Sequence, residues 1–293
     1  MIETNIIFCG LSKNNKETLV KNLEYIVKFK NESIYKNINI IIVDSNSSDG
    51  SKKYLNDLSE EYEFIDVIHK DNLDSFSNRV ERIKICRNLC LQFINEKFDK
   101  RSLVYIPCDT DFYLFSKTSY KQLDGLISHV IKIKENCGIF PVSDPFYYDI
   151  FALRAKNWLN INSQLIVSNL KKYIKLGSFI FNYIFIFRYQ LSPKQIESKK
   201  FSVTSAFGGI GIYNISNFDL KNKKYYINEK SPEWHSEHLY FNSYFKNLNI
   251  MTNWVIEAPE EHVLFRSYSL KGKLLYILKT FKEDLKSIFE KKI

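Results

Sequence analysis

The sequence has no apolar run long enough to cross a bilayer. Its densest stretch, residues 176–187 within an aromatic-rich segment from 165 to 191, is twelve residues long, whereas a spanning helix needs about 20. Cys-x-x-Cys pairs are absent. The five cysteines, an odd number scattered through apolar segments, exclude a disulfide framework. Cys86 and Cys90, spaced i, i+4, read as core residues of a helix. A basic and long apolar leader is missing too, since the chain enters a strand-like run at Asn5; that reads as cytoplasmic. Gly208, Gly209 and Gly211 lack the spacing and the following helix of a dinucleotide fingerprint. No internal repeat or low-complexity linker interrupts the chain, which reads as one domain.

What is present is a chain of 293 residues, 45% hydrophobic and 26% charged, enough to bury a sizeable core. The net charge, 42 − 33 = +9, favours an anionic partner: phosphates, nucleic acid or an acidic membrane face. A basic nucleic-acid-binding module would cluster its Lys and Arg with exposed aromatics. Here the notable charges are acids at strand ends, so no nucleic-acid partner is expected.

Apolar runs at 5–9 and 39–43 read as strands buried on both faces. A helical stripe through Leu19, Leu23, Ile26 and Val27 separates them. The second run ends at Asp44, in a loop rich in Ser, Asn, Asp and Gly that extends to Ser51. A short helix (about 52–58) and a strand near 64–69 follow. Strands and helices alternating through short connections predict a parallel sheet covered by helices. Ligands in such sheets bind beyond the carboxyl ends of the strands. The next helix (about 78–98) places Arg87 about 40° from Ile83, at the border of the buried face. A guanidinium there needs an anion: a neighbouring acid, a nucleotide phosphate or a metal-binding carboxylate.

Tyr105-Ile106-Pro107-Cys108-Asp109-Thr110-Asp111 reads as a strand running out into two acids. Residues i and i+2 of extended chain share a side, so Asp109 and Asp111 can hold one divalent cation or simply cap the next helix. A helix (about 120–136), a strand at 138–142 and the stretch Pro145 to Arg154 follow. Segment 165–191 reads as a core helix pair, a domain cover or a membrane-touching flap. Residues 205–213 read as a strand with a glycine bulge or a close backbone approach. Ser231 and Pro232 predict a helix start. That helix carries Glu237, whose i, i+4 partner Phe241 would raise its pKa; it suits a general base or a solvated helix acid. His235 and His238 find no third ligand at a zinc spacing. After a strand at 250–257, residues 269–293 predict a basic amphipathic helix, which packs on the domain or lies on an anionic membrane.

These pieces in this order resemble the GT-A glycosyltransferases, most nearly the family 2-like members. Asp44 to Ser51 resembles the family's base-gripping loop, Arg87-Asn88 its Arg-Asn helix motif and Asp109-Thr110-Asp111 its Asp-x-Asp. Phe207-Gly208-Gly209 and Glu237-His238 resemble its acceptor-side glycine strand and catalytic acid. The resemblance covers about residues 5–262. It implies an α/β fold: a GT-A (Rossmann-like), mostly parallel sheet with flanking helices and a helical C-terminal extension. The catalytic domain would span 1–268, with a nucleotide-binding half at about 1–112 and an acceptor half at about 113–268; residues 269–293 would form the basic helix.

It further implies a UDP- or GDP-sugar donor and a glycan or lipid-linked saccharide acceptor, with Mn²⁺ or Mg²⁺ as cofactor. Donor contacts would come from Cys9, Gly10, Asp44, Ser45, Arg87, Asp109, Thr110, Gly208 and Gly209. Metal ligands would be Asp109, Asp111 and His262. Glu237 would deprotonate the acceptor hydroxyl for inverting displacement, with Asp149 as rival base; a retaining transferase would need neither. Ser45 stands where family members often carry a second acid, and Gln-x-x-Arg-Trp is absent. A sugar-phosphate nucleotidyltransferase would need a Gly-rich, Arg-containing loop after the first strand, which 11–15 lacks. The missing leader predicts a cytoplasmic protein, and the basic C-terminal helix adds, as the alternative to packing on the domain, peripheral contact with the inner membrane face.

Overall fold

The computed structural model describes residues 4–76, 78–174, 176–196, 198–227, 236–267 and 270–289. In the first half, strand β1 (Asn5–Ser12), helix α1 (Lys16–Glu32), β2 (Ile38–Asp44), α2 (Ser51–Glu61), β3 (Ile65–His69), α3 (Arg79–Lys97) and β4 (Leu103–Asp109) alternate as the sequence pattern predicts. The second half holds α4 (Tyr120–Lys132), β5 (Cys137–Asp144), α5 (Ser163–Tyr173), α6 (Ser178–Phe185), β6 (Lys200–Val203), β7 (Ile212–Asn214), α7 (Glu237–Asn242), β8 (Asn247–Glu257), α8 (Glu260–Ser267) and α9 (Leu270–Phe289). The strands form one sheet in the order β3-β2-β1-β4-β7-β5-β8-β6. Strands β1, β2, β3 and β4 are mutually parallel, as are β5 and β8, while β7 is antiparallel to both β4 and β5. Six strands therefore end at one edge of the sheet.

Alternation along each strand builds two cores. Ile7, Cys9, Ile41, Val43 and Tyr105 face α3 and the aromatic cluster around Phe241. Ile6, Phe8, Ile40, Ile42, Val104 and Ile106 face α1, α2 and α4. Both cores bury β1 and β2 almost completely, which is why these strands read as unbroken apolar runs.

Three expectations need correction. The glycine stretch is strand only from Ile212: Gly208 and Gly209 take φ of +71° and +83° and turn the chain before it can pair. Strand β6, at the sheet edge against β8, was not foreseen. The helix expected from Ser231 begins, among the described residues, at Glu237; the predicted start at Ser231 and Pro232, and His235, lie outside the described residues. Segment 165–191 is the helix pair α5–α6, closed by 3₁₀ turns. Among the described residues no helix is long and apolar enough to cross a membrane.

Candidate functional site

Register sets the site. Leu11 of β1 lies opposite Asp109 of β4, and Ser12 lies opposite Asp44 of β2. The two acids thus end strands on either side of β1, about 10 Å apart across two strand spacings. At the end of β4 the alternation persists through the predicted triplet. Thr110 turns inward and is 3% exposed. Asn15 Nδ2 donates to Thr110 Oγ1 at 2.7 Å, and Thr18 Oγ1 donates to the Thr110 carbonyl at 2.7 Å. With Thr110 anchored, Asp109 and Asp111 project to the opposite side.

Two cavities meet at this pair. A chamber of about 280 Å³ is bordered by Leu11, Ser12, Lys13, Asn15, Ser45, Arg82 and Cys86. A larger one of about 410 Å³ is bordered by Phe112, Tyr148, Asp149, Phe151, Phe207, Glu237, His238, Glu261 and His262, among others. Asp109, Asp111, Arg79 and Ile83 line both. The acid pair is therefore the partition between two compartments.

Arg87 holds that partition from below. Its predicted place at the border of the buried face is in fact full burial, at 0% exposure. Nη2 donates to Asp109 Oδ1 at 2.6 Å, Nη1 donates to the Cys108 carbonyl at 3.3 Å, and the guanidinium lies 5.1 Å from the Phe207 ring centre. The anion it needs is thus one of the paired acids. Burial pushes the Asp109 carboxyl up to about 7; Arg87 pulls the other way, and Asp111, Glu237 and Asp149 add to the rise. The side chain is still 36% exposed at the cavity mouth. Asp111 is more open, with its Oδ2 3.6 Å from Arg79 Nη2.

Two carboxylates facing a cavity suit a hard cation that completes its shell with phosphate oxygens and water, so the residues present fit Mn²⁺ or Mg²⁺. Among the described residues, no three His, Cys, Asp or Glu side chains gather into a ready cation site. The expected third ligand, His262, instead stacks on Tyr148, with ring centres 5.4 Å apart, and lies 3.5 Å from Glu261.

Glu237 opens α7, where Ser236 caps the helix by accepting from His238 N at 3.3 Å. The carboxylate is 8% exposed. Burial raises its pKa, with Arg87 opposing, in the direction the Phe241 spacing implies. His238 stacks on Phe207 at 3.6 Å between ring centres; burial and Arg87 hold its pKa well below the ordinary value, so it is neutral. Asp149 is engaged differently. Gly208 N donates to its Oδ2 at 2.9 Å and Ala152 N to its Oδ1 at 3.2 Å. Burial raises its pKa while these two bonds lower it. Its carboxylate ties the glycine turn to the cavity wall. Gly209 closes the tie, since its carbonyl accepts from Asp109 N at 2.7 Å.

Other predicted donor contacts are set back. Asp44 is wholly buried, with Ser47 N donating to Oδ2 at 3.2 Å and Oδ1 left without a partner. Ser45, directly after it, borders the smaller chamber. Cys9 is in the core and Gly10 is wedged in the sheet, where a Cβ would come within 2.6 Å of Ile42 Cδ1 and 2.9 Å of Thr110 Cγ2. Neither borders the two chambers, so the donor role expected of both is corrected to packing, of Gly10 against Ile42 and Thr110 and of Cys9 within the core. Sequence reasoning missed Arg79 and Arg82. Their i, i+3 spacing in the first turn of α3, ahead of Arg87, is the signal that could have found them.

Residues 11–96 match the family described as Glycosyl transferase family 2. A comparison with curated proteins found no match. Among solved structures the chain is similar to S. aureus TarS 1-349, at 10% identity and a TM-score of 0.44, over 96% of this chain and 71% of that one. It is also similar to glucosyl-3-phosphoglycerate synthase from Mycobacterium tuberculosis in complex with Mn²⁺, UDP and phosphoglyceric acid, at 9% identity and 0.43, over 97% and 78%. For the mannosyltransferase PcManGT from Pyrobaculum calidifontis in complex with GDP-Man and Mn²⁺, the values are 12% and 0.37, over 50% of this chain and only 37% of that one. These superpositions are too loose to transfer a donor or an acceptor. The match to the family 2 glycosyl transferases thus runs from β1 to α3, on one side of a mostly parallel sheet with flanking helices.

Proposed function

We propose that the chain moves a sugar from a UDP- or GDP-sugar to a hydroxyl of a glycan or lipid-linked acceptor, with inversion. The observation that carries this reading is the Asp109–Asp111 partition shared by two chambers. The smaller chamber, rimmed by Lys13, Arg79 and Arg82, suits the nucleotide diphosphate. The larger, aromatic-walled one suits the acceptor. Asp44 and Ser45 mark the base end, two strands away.

In this reading Asp109 and Asp111 hold Mn²⁺ or Mg²⁺, which supplies charge neutralisation for the departing diphosphate. Arg87 opposes the protonation of Asp109 and fixes its carboxylate at the cavity. Glu237 takes the proton of the acceptor hydroxyl. The freed oxygen forms a bond to the anomeric carbon as the carbon–phosphate oxygen bond breaks, and the electron pair leaves with the diphosphate. Of the two candidate bases, Glu237 is favoured because both oxygens of Asp149 already accept backbone N–H bonds. Asp149 then acts by positioning the Gly208–Gly209 turn.

The test is a thermal-shift panel of UDP- and GDP-sugars with and without Mn²⁺. A bound nucleotide at 100 times its Kd adds about 2.7 kcal/mol of stability. Asp111 is more than half exposed, so Asp111→Ala should keep the unliganded melting temperature and lose the Mn²⁺-dependent shift. If no nucleotide sugar stabilises the wild-type chain, or Asp111→Ala responds unchanged, the site is elsewhere.

A further inference from the structure

Helices α6 and α9 pack side by side. Asp284 of α9 fixes the pair, accepting from Gly177 N at 3.1 Å, from Ser178 N at 3.0 Å and from Ser178 Oγ at 2.5 Å. Phe179 and Phe187 set their rings edge-on against Tyr276. Away from this seam, each helix leaves an apolar stripe uncovered. On α6 it is Ile180 and Ile184; on α9 it includes Leu274, Leu278 and Phe281, which are 57%, 56% and 49% exposed. The α9 positions recur at i, i+4 and i+7, so they share one face of the helix. Such contiguous exposed apolar surface marks an interaction site.

Charge identifies the occupant. At about 100° per residue, exposed Lys271 and Lys282 fall next to the α9 stripe on its solvent side and exposed Lys279 farther round the same side, while Glu283 is the exposed acid among the described side chains of α9. A second copy would set lysine rows against lysine rows, and the chain already carries +9; self-pairing is opposed. We propose that the α6–α9 face docks on an anionic lipid surface, with the leucines and aromatics in the headgroup boundary and the lysines on lipid phosphates. A helix of 20 residues flanked in this way lies in the interface plane.

Both helices lead away from the larger chamber. Gln164 at the start of α5, and Glu261 and His262 of α8, border it; α5 leads on to α6, and α8 to α9. Docking would hold that chamber beside the headgroups, where a lipid-linked acceptor lies. This corollary rests on the proposed transfer; the docking itself does not.

The test is sedimentation of the full chain with phosphatidylcholine vesicles, with and without about a third phosphatidylglycerol, at low and at about 1 M salt, where the Debye length falls to about 3 Å. The chain should pellet with the anionic vesicles and be released by salt. Leu274→Glu with Leu278→Glu should lower partitioning by about tenfold or more and leave the nucleotide-induced thermal shift intact. Lys279→Glu with Lys282→Glu should abolish the preference for phosphatidylglycerol. Failure to pellet with anionic vesicles, or unchanged pelleting of the leucine variant, overturns the proposal. So does a dimer in light scattering that the leucine variant dissociates, which would make the face a contact between copies. Loss of the thermal shift in wild type would strike the transferase reading alone.

Discussion

The contact between Arg87 and Asp109 invites the most informative perturbation. Arg87→Met keeps roughly the side-chain length and removes the charge. Removing one partner of a buried pair costs about 3–5 kcal/mol, because the other charge is left uncompensated. Asp109 is still 36% exposed, so water recovers part of that loss and the lower end, about 3 kcal/mol, applies. At about 2 °C per kcal/mol for a chain of this size, the melting temperature should fall by about 6 °C. Function should fall further. Burial already pushes Asp109 up to about 7 with Arg87 pulling it down; without Arg87 the carboxyl stays protonated at neutral pH and no longer serves a cation. Denaturant melts should be paired with calorimetry of UDP and GDP in Mn²⁺. The double variant Arg87→Met with Asp109→Asn tests the pairing itself: with neither charge present, the cost of losing Arg87 should shrink by more than about 1 kcal/mol. A single variant within about 0.5 kcal/mol of wild type, or a cost unchanged by Asp109→Asn, would refute the pairing.

Two further substitutions separate the roles of the chambers. Glu237→Gln should bind nucleotide with Mn²⁺ as wild type does and lose about 10²–10⁴ of the transfer rate. Burial raises the Glu237 pKa above its ordinary 4.5, so wild-type kcat/KM should fall as pH drops through that raised value and the base takes up its proton. The variant should lack this limb, and near-normal turnover would move the base to Asp149. Gly209→Ala forces a side chain to φ +83° and brings its Cβ within 2.4 Å of Phe112 Cζ and 2.7 Å of Tyr148 Oη. It should lose at least about 1–2 kcal/mol of stability and raise the acceptor KM; an unchanged melting temperature would show that the aromatic wall yields freely.

The first half of the fold was legible because its signals are local and redundant. Strands β1, β2 and β4 are buried on both faces, so each reads as a continuous apolar run, and α1 carries an unmixed stripe. The position of Asp109 and Asp111 beyond a strand end followed from that. Strand β6 was missed because it is a short edge: Lys200 and Ser202 face solvent while Phe201 and Val203 turn inward, an alternation only four residues long. The glycine stretch misled because its β-rich composition reports burial, whereas Gly208 and Gly209 turn the backbone. Arg87 could be placed near the core by angle, but its depth depends on Asp109, Cys108 and Phe207, all distant in sequence. The same holds for Asp149. The N–H groups of Gly208 and Ala152 that engage its carboxylate are brought to it only by the folded chain. His262, a ligand candidate by residue type, lines the chamber of Asp109 and Asp111 with its ring stacked on Tyr148.

The antiparallel strand between β4 and β5 has a consequence in time. Strands β1 to β4 are complete once Asp109 has been made, but β7 begins at Ile212, 103 residues later (212 − 109). At typical synthesis rates of about 5–20 residues per second, the flank of β4 waits roughly 5–21 s for its neighbour. An unpaired apolar strand is a template for wrong pairing. In this strand the Pro107 carbonyl accepts from Gly211 N. Since a strand residue's N–H and C=O point the same way, the donor that proline lacks is missing from that waiting side. Pro107 thus blunts a flank of the growing sheet that stays open while the chain makes β5, α5 and α6, and β7, when it comes, needs no bond from it.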